Sequence, residues 1–237
     1  MEDLRNKAIY LMKKQQYDEA LPLFLDLINK NPNDPWLYYM AGQCFRFTND
    51  MSNAIKFLEK ATEIEVEEFE FWHALGIAYQ LGGDYVRAVE AFHEAILVNE
   101  NAISSYNSMG LTYRKLGEYQ KAVEWYEKGI KIHEKAVKYK VDHDPEIKER
   151  YKELYEDKKS FVYPLLDYIE EFRKDPMQCM LFNNLGVALM ELGQIEEAQA
   201  KFEDSISFIP DNYIYYDPYD NLLKVKDIII EDLKRRK

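Results

Sequence analysis

Small and apolar residues recur along this chain at a single interval. Gly42, Gly76 and Gly110 stand 34 residues apart, with Ala8 one interval before them. Ala20, Ala54, Ala88 and Ala122 keep the same spacing, as do Phe24, Leu58, Phe92 and Tyr126. Within each window, positions 4, 7, 8 and 11 share one helical face, because steps of three and four return to the same side. Positions 20, 24, 27 and 28 do the same on a second helix. The pattern therefore predicts pairs of helices. Small residues at 8 and 20 let the two helices of a pair approach, and aromatic residues at 11, 17 and 24 fill the space between pairs. Gly83, Gly117 and Gly193 fall at the predicted turn, where a left-handed C-cap suits glycine. Pro32 and Pro210 fall where the second helix must stop.

Four windows follow one another without a gap, over 1–34, 35–68, 69–102 and 103–136. A fifth runs from Cys179 to Asn212, with Leu185, Gly186, Leu189, Ala198 and Phe202 in register. Residues 137–178 break the period. Counting back from Cys179 places Tyr155, Phe161, Tyr168 and Pro176 at positions 11, 17, 24 and 32. This segment is expected to be a helical insertion with a degenerate repeat. The insertion, Val137 to Asp144, lengthens the second helix of repeat four, and Asp144–Pro145 forms an N-cap and first helical position. Lys152 and Pro164 replace the small residues at positions 8 and 20. One long helix followed by a kinked segment is the alternative. The tail, 213–237, is expected to be a capping helix that starts at Asp217–Pro218 and carries Leu222, Val225, Ile229 and Leu233 in one stripe.

The run Trp72, Leu75, Gly76, Tyr79, Ala88, Phe92 spells W-x2-L-G-x2-Y followed by A-x3-F. It resembles the tetratricopeptide repeat. That resemblance implies an all-α fold, a right-handed superhelical solenoid of antiparallel helix pairs, closed here by the C-terminal capping helix. It also implies a protein-binding scaffold rather than an enzyme, with the first helix of each pair lining the concave side.

On that side, positions 2, 5, 9, 12 and 13 oppose the packed stripe. Repeat two presents Trp36, Tyr39, Gln43, Arg46 and Phe47, and repeat three presents His73 and Ile77. Repeat four presents Asn107, Leu111 and Arg114, and the fifth clear repeat presents Asn183. The stripe is apolar and aromatic where water favours polar groups, which marks an interface. It carries more cations than acids, so a protein or peptide ligand combining apolar with acidic side chains suits it. Asn107 and Asn183 could bond the backbone of an extended peptide. The carboxylate clamp with which related co-chaperones hold the C-terminal tails of heat-shock chaperones is absent in every register. Repeat one has Arg5 but Ile9 followed by Met40, and repeat two has Tyr39 and Gln43 followed by Ala74. Self-association through the capping helix or the 137–178 segment is the alternative role, so a monomer or weak homo-oligomer is expected.

Composition narrows the classes further. The formal net charge of −12 argues against nucleic acid, which is bound mainly by neutralising phosphates. Cys44 and Cys179 are no disulfide framework, and the opening residues hold no apolar core of secretory length. No stretch is long and apolar enough to span a membrane. A cytoplasmic setting is expected. Neither phosphate-loop glycine pattern occurs, and the four histidines form no H-E-x-x-H pair. No cofactor or metal is expected. Asp142–His143–Asp144 reads as a polar turn, and the paired glutamates as solvated helix faces.

Overall fold

The short turn inside each repeat shows why helices form where they do. The residue at position 15 takes a left-handed conformation in all five clear repeats, with φ of 60° at Gln15, 65° at Asn49, 84° at Gly83 and 77° at Gly117 and Gly193. The next backbone N–H reaches back five residues to a carbonyl, as in Gln16 to Leu11 at 2.9 Å, Asp50 to Phe45 at 2.8 Å and Asp84 to Tyr79 at 2.9 Å. That bond closes the first helix in a Schellman turn. The second helix then starts at once, in two repeats under an aspartate cap. The Asp50 carboxylate accepts from the Asn53 N–H, and that of Asp84 from the Arg87 N–H, both at 3.1 Å.

The structure, a computed structural model of the 237-residue chain, describes residues 2–143, 175–210 and 214–235. Contacts divide it into two compact units, Met1–Thr112 and Tyr113–Lys237. The first contains α1 (Glu2–Lys13), α2 (Tyr17–Lys30), α3 (Pro35–Phe47), α4 (Met51–Ile64), α5 (Phe69–Leu81), α6 (Tyr85–Val98) and most of α7 (Ile103–Lys115). Helices pair as α1 with α2, α3 with α4 and α5 with α6, and α2 packs on α3 as α4 does on α5. Phe24, Leu58 and Phe92 are fully buried, along with Ala20, Ala54 and Ala88. Position 8 decides how close each pair comes. A Cβ added to Gly76 would lie 2.5 Å from the Phe92 ring, and one added to Gly42 would lie 2.7 Å from the Leu58 side chain.

The second unit contains α8 (Tyr119–His143), α9 (Pro176–Glu191), α10 (Ile195–Ser207) and α11 (Asp217–Arg235). α9 pairs with α10 by the same device, Gly186 facing Phe202 at 2.6 Å from a would-be Cβ. α9 also packs on α8, and α11 covers α10 with Val225 fully buried. Sequence counting puts Pro176 at position 32 of the degenerate repeat. In the structure it opens α9, because the Asp175 carboxylate accepts from the Met177 and Gln178 N–H groups at 2.6 and 3.3 Å. Asp175 is tied to α8 as well, its carboxylate 3.7 Å from Nε2 of the buried His133. The expected Asp144–Pro145 start, the degenerate repeat as far as 174 and the Leu233 side chain lie outside the described residues. All secondary structure among the described residues is helical.

The left-handed turns make a graded prediction. Gly83→Ala should lose roughly 1 kcal/mol, because a Cβ disfavours that conformation. Gln15→Gly should gain a similar amount, and Asn49→Gly less, since asparagine tolerates the left-handed region better. Urea unfolding of the three variants beside wild type checks the order.

Candidate functional site

The candidate site lies on the first helices of repeats two to four. Asp34 fixes the start of α3 by accepting from the Trp36 N–H at 3.1 Å. From there Trp36, Tyr39, Gln43 and Arg46 recur at helical spacing along one face. Trp36 stands edge-on to Tyr39 and Phe71, with ring centres 5.5 and 4.8 Å apart, and Tyr39 lies 5.1 Å from Phe71. Phe71 is fully buried, whereas Trp36 is 37% exposed, so the cluster has a floor and an open edge.

Arg46 gives this aromatic surface its charge. Its Nε–H donates to Gln43 Oε1 at 2.7 Å. The guanidinium lies 4.1 Å from the centre of the Phe47 ring, which stacks in turn on Tyr17 at 4.4 Å. Stacking and a planar donor fork hold the group in one orientation. It is half-buried, and among the described residues no carboxylate lies within 4 Å of it. Burial lowers its pKa, with the Tyr39 and Tyr17 phenols acting the other way.

His73 adds a second constraint. Its Nδ1 lies 2.9 Å from Oγ of the fully buried Ser105, which ties α5 to α7. Burial, and then the nearby Arg46 cation, push its pKa down to about 4, against the pull of Glu70. The ring is therefore neutral at neutral pH. Gln80 makes a parallel tie, donating to Thr112 Oγ1 at 2.7 Å. At the start of α5, Glu68 and Glu70 lie close together. A hydrogen bond between their carboxyls raises Glu68 to about 7, with burial adding to it, and Glu70 Oε2 is buried without a partner among the described residues. At the N-terminal edge a cavity of about 440 Å³ is lined by Arg5, Asn6 and Ile9 of α1 and by Asp34 and Leu37.

The structure thus brings Trp36, Tyr39, Gln43, Arg46, Phe47 and His73 together. Ile77 and Leu111 are half-buried on the same helices, and Asn107 is 9% exposed. Arg114 and Asn183 belong to the second unit. There Arg114 lies near Tyr126, whose phenol burial pushes up to about 12 while the guanidinium opposes the shift. Asn183 departs from expectation. It is 3% exposed, its Nδ2 donates to the Tyr215 hydroxyl at 3.0 Å, and its Oδ1 accepts from Asn221 Nδ2 at 2.9 Å. Its amide therefore ties α9 to the capping segment, and its burial closes it to a ligand backbone. Sequence reasoning missed Phe71 and Ser105, the cluster's floor and the partner of His73. Both occupy position 3, where Leu37 is also buried, so the 34-residue spacing carried that signal.

Catalytic alternatives find little here. Burial pushes the Cys44 thiol up to about 12 and raises Cys179 as well, so neither is poised as a thiolate. Among the described residues no group of three or more His, Cys, Asp and Glu could hold a metal ion, and no helix is long and apolar enough to cross a membrane.

Tetratricopeptide-repeat family models match residues 11–76, 67–135 and 181–212. The chain belongs to the tetratricopeptide-repeat family. No curated protein sequence matches it. Solved structures with the same fold include MamA, with 20% identity over 85% of this chain and 93% of MamA and a TM-score of 0.62. YrrB, described as a tetratricopeptide-repeat protein with an unusual peptide-binding site, shares 17% identity over 94% of this chain and 89% of its own, with a TM-score of 0.59. TTC0263 of Thermus thermophilus shares 16% over 97% and 98%, with a TM-score of 0.55. At these identities the likeness is one of fold.

Two outcomes follow for this tetratricopeptide-repeat protein. Asn183→Ala removes the two hydrogen bonds that tie α9 to Tyr215 and Asn221 and should cost about 1–3 kcal/mol of stability. Chemical denaturation of the variant beside wild type checks the size of the loss. For His73 the folded pKa lies below the ordinary value of 6.5, so the unfolded chain binds the extra proton between about pH 6.5 and 4. Stability is fully present above that window and falls as pH drops through it, by up to roughly 1.4 kcal/mol per pH unit. His73→Gln should flatten this part of the stability curve. An unchanged slope would show that the ring titrates normally.

Proposed function

We propose that this protein is a non-enzymatic adaptor whose first unit holds a segment of a partner protein against α3 and α5. The segment carries an apolar or aromatic side chain for the Trp36–Tyr39–Phe71 cluster and an acidic one for Arg46. The observation that carries this reading is Arg46 itself. A half-buried cation held by Gln43 and Phe47, with no carboxylate of its own among the described residues, has lost hydration that an incoming carboxylate would replace. Trp36 and Phe47, 37% and 49% exposed, supply the aromatic-plus-arginine composition typical of binding hot spots. The tetratricopeptide-repeat fold is shared with YrrB, which has a peptide-binding site, and that supports a peptide-holding role here. His73 stays neutral beside Arg46, so the local charge near neutral pH is that of the arginine, apart from the acids at the start of α5.

Arg46→Glu reverses that charge at a half-buried position outside the buried core. Partners captured from the source cells by wild type should be lost by Arg46→Glu, and weakened at least tenfold by Arg46→Gln. Peptide arrays made from the captured partners should return segments in which an acid and an aromatic or aliphatic residue are both required. Partners retained equally by Arg46→Glu, with its helicity intact, would overturn the proposal.

A further inference from the structure

The flank of α11 that faces away from α10 is built as its own complement. α11 buries Pro218 and Val225, and half-buries Leu222 and Ile229, on its packed side. One flank borders the rest of the unit, where Ile228, itself 41% exposed, and Arg235 line a cavity of about 410 Å³ with Gly193 and Glu196. The other flank is exposed among the described residues. Tyr219, Leu223 and Ile230, at 47%, 61% and 48% exposure, lie along it at steps of four and seven, which return to one side of a helix. Lys226, Asp227 and Lys234 are exposed between and beyond them, and none makes an ion pair within 4 Å among the described residues.

The order of these six residues decides what fits. Laid antiparallel against a copy of itself about its midpoint between Lys226 and Asp227, the stripe sets Leu223 against Ile230, Lys226 against Asp227, and Tyr219 beneath Lys234. Each contact then occurs twice, as a two-fold interface requires. The apolar pair meets an apolar pair, each inner charge meets its opposite, and the outer cation meets an aromatic face. Antiparallel packing also places the acidic first turn, with Asp217 and Asp220, near the basic last turn, with Lys234 and Arg235. A partner of unrelated sequence has no reason to match this palindrome, whereas a second copy matches it by construction.

We propose that two copies of the chain associate through α11, antiparallel, about a two-fold axis passing between Lys226 and Asp227. The contact surface is one helical stripe with three apolar residues on each copy, a small interface, so the dimer is weak and concentration-dependent. It uses none of the α3 and α5 surface, so adaptor binding and pairing are separable.

Sedimentation velocity on the full chain over a wide concentration range should show a reversible monomer–dimer equilibrium. Asp227→Lys sets lysine against lysine and should weaken pairing at least tenfold, as should Lys226→Asp. The double exchange Lys226→Asp/Asp227→Lys restores opposite charges only in this register, and should return the equilibrium to within about twofold of wild type. A cysteine experiment gives an independent readout, since Cys44 and Cys179 are buried. A mixture of Leu223→Cys and Ile230→Cys chains should cross-link on mild oxidation, whereas either chain alone should not. The proposal is overturned by a strict monomer at all concentrations, by a dimer that the double exchange fails to restore, or by single-variant samples that cross-link as readily as the mixture.

Discussion

The close approach of two helices at position 8 organises this fold. Repeat one has Ala8 there, whereas at Gly42, Gly76 and Gly186 glycine exposes bare backbone, and an aromatic or leucine side chain from position 24 of the second helix lies on it. Phe92 on Gly76 and Phe202 on Gly186 come so close that any Cβ would overlap the ring. That contact sets the separation of the paired helices. The separation in turn determines which first-helix residues are drawn into the core and which are left at the surface. The buried alanines at position 20 serve the same approach from the other side. An extra methylene here would spread two helices apart, with an overpacking penalty of about 1–3 kcal/mol.

The surface of the first unit follows from that geometry. With position 8 turned toward the second helix, positions 2, 5, 9 and 12 face away, and α3 and α5 present them together. What makes the result more than a hydrophobic strip is the treatment of charge. Arg46 cannot give up its proton at ordinary pH and has no internal carboxylate among the described residues. His73, by contrast, is held neutral by burial and by Arg46 itself. With one cation fixed and the other suppressed, the acids at the start of α5, where Glu68 is raised to about 7, are the groups that alter the local charge across the physiological range.

The helix pairs, their turns and the capping helix were legible in the 34-residue spacing, because packing at positions 8, 20 and 24 repeats with the chain. The aromatic cluster was half legible. Trp36 and Tyr39 stood out as apolar residues on a face expected to be wet, but Phe71 beneath them looked like ordinary core. Asn183 was misjudged because its repeat is the last of the series. Where an interior first helix would meet another first helix, it meets Tyr215 and Asn221 of the cap, and the amide that looked available is buried against them. The start of α9 at Pro176, ahead of Cys179, escaped the count for a related reason. Counting by 34 assumes an unbroken array, whereas the Asp175 cap is set by local hydrogen bonds that ignore the count.

The contact between α8 and α9 has a consequence for how such a chain can change over time. α8 ends at His143 and α9 begins at Pro176, yet the two helices pack on each other, and His133 meets the capping Asp175 across the join. His133 on α8 and Asp175 at the start of α9 are thus joined in space although far apart along the chain, and an exchange at one removes a partner of the other. The two positions are therefore expected to change together as such chains diverge.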